Sequence, residues 1–200
     1  SGLPFFVRTQ AGLAIAHAGV GQKMLTPAGW QTLSQLDHDA EWQAVSDRLP
    51  PDQRQQLRER IDSYYPQGYA RLNADSWNVH RPDDPHYDDI LIALIIQNDN
   101  LGQLLWNSFF TQNENEYGAD YKEMVQSFLQ ILSEDYIEQR VLITGHISCP
   151  NGYTVVNDQQ LRIASAAHAQ PRDKGKVLVV DLDRPVTQAL QLTAALQNLF

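Results

Sequence analysis

The sequence predicts one α/β domain, in which helices flank a β-sheet. Two apolar runs, Leu13–Ala16 and Val141–Thr144, have the length and composition of buried strands. Apolar residues then recur at steps of three and four over residues 117–132, which indicates an amphipathic helix that packs on the sheet. There is no internal repeat, and no linker separates the helical part from the strand-rich part near residue 140. We therefore predict a single domain over residues 1–200.

Helical patterns follow the first strand. Thr26 followed by Pro27 is typical of a helix start, because threonine caps the first turn and proline fits its first position. The helix that begins there carries Trp30, Leu33 and Leu36 at helical spacing. Further helices are predicted over residues 41–48, 52–65 and 88–97, with a long loop over residues 66–85.

The last third of the chain is predicted to be mostly β. Residues 153–156 and 161–164 form a hairpin pattern around Asn157 and Asp158. Residues 177–180 are predicted to form another strand, and residues 185–200 an apolar-rich helix.

Charge and cysteine content exclude several classes of partner. The chain carries 24 acidic and 15 basic residues, a net charge of −9 with no run of Lys or Arg, so no nucleic-acid partner is expected. Cys149 is the only cysteine and cannot form an internal disulfide. The longest apolar stretch, residues 90–96, is far shorter than the roughly 18 residues of a membrane span. We therefore predict no membrane partner and a reducing, cytoplasmic location.

Two histidines follow the two buried strands directly. His17 comes after the first strand and His146 after the second. Imidazole nitrogens at strand ends suit borderline first-row metals, which polarise phosphoryl oxygens and activate water. Spacing alone equally allows two histidines that are simply hydrogen-bonded at strand ends.

The serial order of these motifs resembles the second half of the serine/threonine protein phosphatases, which are calcineurin-like metallophosphoesterases. The matching segments, in order, are Ile15-Ala16-His17-Ala18-Gly19, Leu104-Leu105-Trp106, the amphipathic helix, Gly145-His146, Asn151-Gly152-Tyr153, Ser165-Ala166 and a closing strand at residues 177–181. The resemblance runs from about residue 3 to residue 183. It implies part of a metallophosphoesterase-like β-sandwich flanked by helices.

The resemblance also implies a metal site. His17 and His146 would be ligands to one metal of a divalent pair (Mn, Fe, Zn or Mg), with Gly19 and Gly152 serving the backbone geometry. The family's other ligands come from G-D-x-H-G, G-D-x-x-D-R-G and G-N-H-E/D blocks, none of which occurs in this sequence. The chain is therefore interpreted as an incomplete, inactive half of a parent phosphoesterase, one that does not hold the metal pair stably alone. Ser1-Gly2 before apolar residues is interpreted as tag residues joined to the middle of a domain.

The alternative interpretation is a non-catalytic, phosphatase-like protein-interaction module. In the first interpretation the parent hydrolyses a phosphate ester or a phosphoprotein. For the incomplete half we expect an uncovered apolar sheet face or edge, which favours a homo-oligomer or the missing N-terminal half as partner.

The chain departs from the family pattern in three places. Residues 113–118 contain two glutamates where the family has a phosphate-binding arginine, and such an acidic pair would repel a phosphate dianion. Either the substrate therefore differs, or Arg172 or Lys174 takes the role of that arginine. His168 is predicted to be a third metal or phosphate contact, or else a solvated loop histidine. The span from His17 to the Leu-Leu-Trp motif is longer than in the family, which predicts a helical cap over residues 26–100.

Two other features are predicted to be inert. Residues 80–89 hold two histidines and four aspartates, but their prolines and irregular spacing favour a solvated acidic loop over a cation site. Cys149 has no second thiol nearby in sequence and is predicted to have no metal or redox role.

Overall fold

The computed structural model describes residues 5–48, 52, 55–56 and 111–199. Ser1–Ser34 and Leu104–Phe200 form one compact unit, and Gln35–Gln103 form a second. The predicted loop over residues 66–85, the helix over 88–97, the acidic cluster at 80–89 and the Leu-Leu-Trp motif all lie outside the described residues. So does most of the predicted helix over 52–65 and of the predicted cap over 26–100, and the cap stays a prediction.

Nine short strands occur in the described part of the chain. They are β1 (Phe6–Arg8), β2 (Leu13–Ala16), β3 (Val141–Thr144), β4 (Cys149–Pro150), β5 (Tyr153–Asn157), β6 (Gln160–Ile163), β7 (Ala169–Gln170), β8 (Lys176–Leu178) and β9 (Leu196–Asn198). Five of them form the main sheet, in the order β1-β2-β3-β6-β5. The inner pairs β2-β3 and β3-β6 are parallel, and the edge strands β1 and β5 pair antiparallel. The α/β class is therefore confirmed, with a mixed sheet.

The two strands predicted to be buried lie beside each other near the centre of this sheet. β3 is buried at all four positions, and β2 at three of four. Parallel strands need a long crossover, and here the connection from β2 to β3 runs through more than a hundred residues. Both strands therefore end at the same edge of the sheet.

The amphipathic helix covers one face of the sheet. Helices α1 (Pro27–Ser34), α2 (His38–Asp47) and the short α3 (Glu114–Tyr117) precede it, and it forms α4 (Tyr121–Ser133). Its buried side chains recur at three- and four-residue steps: Tyr121, Met124, Val125, Phe128, Leu129 and Leu132. The helix is confirmed but begins later than predicted, because Gly118 has a φ of +56° and separates it from α3.

The opposite face carries an apolar cluster. Leu13, Val141, Ile143 and Leu161 from the sheet pack with Ala11, Val186, Ala189 and Leu192. The segment that brings the last two residues is a 3-10 helix, Ala189–Ala195. The hairpin predicted around Asn157 and Asp158 is confirmed by the antiparallel pairing of β5 with β6.

The helix predicted over residues 185–200 is wrong. Ala189 and Leu192, three residues apart, are buried together, which suits the three-residue period of a 3-10 helix. The chain then extends into β9, which pairs antiparallel with β8 and occupies residues that a longer helix would need. The pairing of β9 with β8, and not the local spacing of apolar residues, therefore determines the structure of this segment.

The caps of the first two helices explain where they begin. The Thr26 hydroxyl accepts a hydrogen bond from the Gly29 amide at 3.0 Å, as the Thr-Pro start predicted. In the second unit, α2 begins three residues earlier than predicted, because the Asp37 carboxylate caps it by accepting from the amides of Asp39 and Ala40. Within the described ranges, none of the helices has both the length and the apolar character to cross a lipid bilayer.

The α4 interface gives a direct test of this packing. Phe128 is 1% exposed, so Phe128→Ala should lower the free energy of unfolding by about 3–5 kcal/mol through lost burial and a residual cavity. Gln126→Ala, at an exposed position of the same helix, is the matched control and should change it by less than about 0.5 kcal/mol. Urea unfolding measures both, and equal effects would contradict the assignment of the buried face.

Candidate functional site

The pairing of β2 with β3 places the two strand-end histidines side by side. Ile15 pairs with Ile143 in the parallel register, and each chain then leaves the sheet at the same edge. The Gly145 amide donates to the His17 carbonyl at 2.9 Å, which extends the pairing beyond the strand ends. His17 and His146 therefore meet although they are 129 positions apart.

The two imidazole rings point ring nitrogens at each other. His17 Nε2 and His146 Nδ1 are 2.8 Å apart, and the ring centroids are 4.6 Å apart with a 47° tilt. At this distance one ring donates a hydrogen bond to the lone pair of the other. If the donor ring changes tautomer, so that its proton moves to its other nitrogen, two lone pairs face one region, which is the arrangement that a cation uses.

His146 has an unusual backbone conformation. Its φ is +61°, in the left-handed region that residues other than glycine seldom adopt. Such a conformation costs of order 1–3 kcal/mol and persists only where the surroundings impose it. The strand end therefore holds His146 beside His17 at a local cost.

His168 lies beside His146. Its ring centroid is 5.9 Å from that of His146, and its ring is exposed. The backbone is fixed by two hydrogen bonds at 3.0 Å, from the His168 amide to the Ser165 carbonyl and from the Cys149 amide to the His168 carbonyl. Three histidines thus stand together at one edge of the sheet. In the described part of the chain, no group of three or more His, Cys, Asp or Glu side chains is arranged to hold a metal ion.

The electrostatics keep the histidine pair neutral. Burial lowers the pKa of His17, and the charges of His146 and His168 lower it further. Burial also lowers the pKa of His146, with His168 acting in the same direction. Neutral imidazole is the form that binds metals, because its lone pair is free of a proton.

Arg172 and Lys174 lie in a 3-10 turn, Arg172–Lys174, that follows β7. Both side chains are exposed, and Lys174 is 3.7 Å from the Asp173 carboxylate. Among the described residues, no hydrogen bond or ion pair joins Arg172 to the three histidines. The structure thus gathers His17, His146 and His168, and leaves Arg172 on a separate solvated turn.

An ion pair that the sequence did not suggest lies in the same unit. Arg162 on β6 binds both carboxylate oxygens of Glu114, and its side chain is only 4% exposed. The Arg162 guanidinium also lowers the pKa of Glu114. The Arg162 guanidinium therefore neutralises the charge of Glu114, and the predicted repulsion of phosphate by residues 113–118 stays a prediction. The partner of Glu114 is 48 residues away, so no local pattern could identify the pair.

Gly19 and Gly152 both occupy positions that admit no side chain. A Cβ on Gly19 would lie 2.1 Å from Tyr121 Oη, and one on Gly152 would lie 2.0 Å from the Lys174 carbonyl oxygen. Gly152 also has a φ of +82°.

Cys149 is buried, its thiol donates to the Ile147 carbonyl, and burial raises its pKa, which favours the unreactive thiol form.

Comparisons of the chain with protein-family models, with curated proteins and with solved structures gave no match.

The lowered histidine pKa values predict the pH behaviour of the metal-free chain. His17 and His146 should titrate below about 6.5, as followed by NMR of their ring protons. Because the unfolded state then binds more protons just below that pH, the free energy of unfolding should fall as the pH drops through about 6.5.

The variant His146→Gln separates the effect of the His146 charge on the pKa of His17 from the effect of burial. It removes one positive charge that disfavours protonation of His17, so the pKa of His17 should rise toward about 6.5. A His17 that titrates at or above that value in the unsubstituted chain would contradict the described geometry.

Proposed function

We propose that this chain is the second half of a metallophosphoesterase and that His17 and His146 are two ligands of one metal of a divalent pair. The observation that carries the proposal is the approach of His17 Nε2 to His146 Nδ1 at 2.8 Å, at the ends of adjacent parallel strands. A sheet covered by a helix on one face and by an apolar cluster on the other supports the β-sandwich flanked by helices that the resemblance implies.

The two side chains fit a metal in their chemistry. Both are imidazoles whose pKa values are held low, so both offer lone pairs at neutral pH. Two nitrogens at about 2.0–2.1 Å from a tetrahedral zinc lie roughly 3.3 Å apart, so the rings need to separate only slightly. A bound Mn, Fe, Zn or Mg ion polarises a phosphoryl oxygen and activates water.

The neighbouring residues support a phosphate ester or a phosphoprotein as the substrate of the parent. His168 stands beside His146 with an exposed ring that can donate to a phosphate oxygen. Arg172 and Lys174 offer positive charge on the turn after β7. Since Arg162 neutralises Glu114, that carboxylate does not repel a phosphate dianion. The remaining ligands are expected from the three blocks that this sequence does not contain.

A second candidate is a phosphatase-like interaction module without catalysis. Val7 and Ile15 are register partners on β1 and β2 and are 43% and 40% exposed. Adjacent exposed apolar residues on the edge strand β1 and on its neighbour β2 favour a covering partner, such as a second copy of the chain or the N-terminal half of the domain.

Hydrolysis of p-nitrophenyl phosphate with Mn²⁺ tests the proposal. We expect no metal-dependent turnover from this chain alone, and turnover when the chain is joined to its own upstream coding sequence. In the longer protein, His17→Asn and His146→Asn should each lower kcat/KM by at least about 100-fold, since even outer partners of metal ligands contribute 10–100-fold. Gln126→Ala, at an exposed position of α4, is the control and should leave the rate unchanged.

Two outcomes would overturn parts of the proposal. Turnover by this chain alone that His146→Ala abolishes would refute the half-enzyme. An upstream sequence without the three blocks, together with no turnover, would favour the interaction module.

A further inference from the structure

The loop that follows His17 is clamped by the chain segment at residues 111–117. The Gly19 amide donates to the Gln112 carbonyl at 3.0 Å, forming an isolated antiparallel bridge. A Cβ on Gly19 would lie 2.6 Å from that same oxygen and 2.1 Å from Tyr121 Oη. The backbone two residues beyond His17 is therefore held between Gln112 and Tyr121.

The clamping segment is itself fixed by the ion pair of Glu114 with the buried Arg162. Glu114 lies two residues after Gln112, and both its oxygens bind Arg162, with 2.9 Å between Nη1 and Oε1. A guanidinium that binds a carboxylate through two parallel hydrogen bonds fixes its orientation as well as its distance. Asn113 Oδ1 accepts from the Asn115 amide at 2.9 Å, which stabilises the turn into α3.

A row of buried polar side chains continues from Arg162 to the end of β3. Tyr121 Oη, Arg162 Nε and Gln160 Oε1 are all buried and have no hydrogen bond of ordinary geometry to the residues that the structure describes. Burial raises the pKa of Tyr121, and the facing side chains of Gln160 and Arg162 oppose that rise. Gln160 Nε2 then donates to Thr144 Oγ1 at 3.0 Å. Thr144 is two residues before His146, so the row reaches the second histidine as well.

We infer that Glu114 and Arg162 are positioning residues for the His17–His146 pair. The ion pair sets the position of residues 111–117, and that segment sets the loop after His17. Displacement of the segment, which follows the predicted cap, therefore changes the separation of the two rings. The consequence for metal binding rests on the proposed function, whereas the mechanical link rests on the contacts alone.

Hydrogen exchange of single amides tests the link. Glu114→Gln keeps the side-chain size but leaves the buried Arg162 charge unpaired, which lowers overall stability. The double variant Glu114→Leu with Arg162→Met is therefore measured beside it, because apolar replacement of both partners of a buried pair preserves folding. Glu116→Gln, an exposed glutamate of the same short helix, is the matched control.

In the double variant, the Gly19 amide should exchange at least about tenfold faster, while the Leu142 amide, bonded to the Gln159 carbonyl in the core, keeps its rate. The ring resonances of His17 and His146 should shift, and the affinity of the pair for Zn²⁺ should fall by about tenfold. Glu116→Gln should match the unsubstituted chain in every measurement.

The outcomes separate this inference from the proposed function. The positioning role is overturned if the exchange rate of the Gly19 amide is unchanged in the double variant, or if the rate of the Leu142 amide changes by the same factor. This holds even if Zn²⁺ binds the histidines. Faster Gly19 exchange and shifted ring resonances support the positioning role even if Zn²⁺ does not bind the histidines of the unsubstituted chain. That second result removes only the claim that the two histidines bind a metal without the rest of the site, and the hydrolysis assay of the longer protein decides the proposed function.

Discussion

The parallel pairing of β2 with β3 is the constraint on which the rest of the structure depends. It brings together two histidines separated by 129 positions and directs both strand ends to one edge of the sheet. Parallel strands are stable only when both faces are covered, and here α4 covers one face and the cluster around Ala189 and Leu192 the other. The geometry of the candidate site follows from this layered core and from the backbone bond between Gly145 and His17.

The two faces of the sheet differ in chemistry. The face against the 3-10 helix is apolar, whereas the face toward α4 includes Gln160 and Arg162, both almost fully buried. A buried ion pair adds little net stability compared with an apolar pair of similar size, because both charges lose their hydration. What it supplies is a fixed geometry, and the Arg162–Glu114 pair lies between the loop after His17 and the end of β3.

Features that depend on local periodicity could be predicted from the sequence. The runs at β2 and β3, the hairpin of β5 and β6 and the body of α4 all follow from apolar spacing, and the structure confirms them. The structure of residues 185–200 could not be predicted in this way, because apolar residues three apart fit an α-helix and a 3-10 helix alike. The pairing of β9 with β8 ends the 3-10 helix where a longer helix would have continued.

The candidate site was only partly predictable, because it too depends on contacts between residues that are distant in sequence. That His17 and His146 follow buried strands is visible in the sequence, but their 2.8 Å approach requires the strand order, which spacing does not encode. The Glu114–Arg162 pair joins positions 48 apart, and the residues directly before and after Arg162 in β6 are apolar. The left-handed backbone conformation at position 146 could not be predicted either, because the residue there is His146 and not a glycine or asparagine, which adopt that conformation most often.

Long-range ¹H–¹⁵N NMR of the histidine rings during a Zn²⁺ titration tests the central claim most directly, because it reports which nitrogen of each ring binds. The account predicts that the signals of His17 Nε2 and His146 Nδ1 move together at the first additions of Zn²⁺, while the second nitrogen of each ring stays protonated. Binding first at other histidines, or through the opposite ring nitrogens, would contradict it.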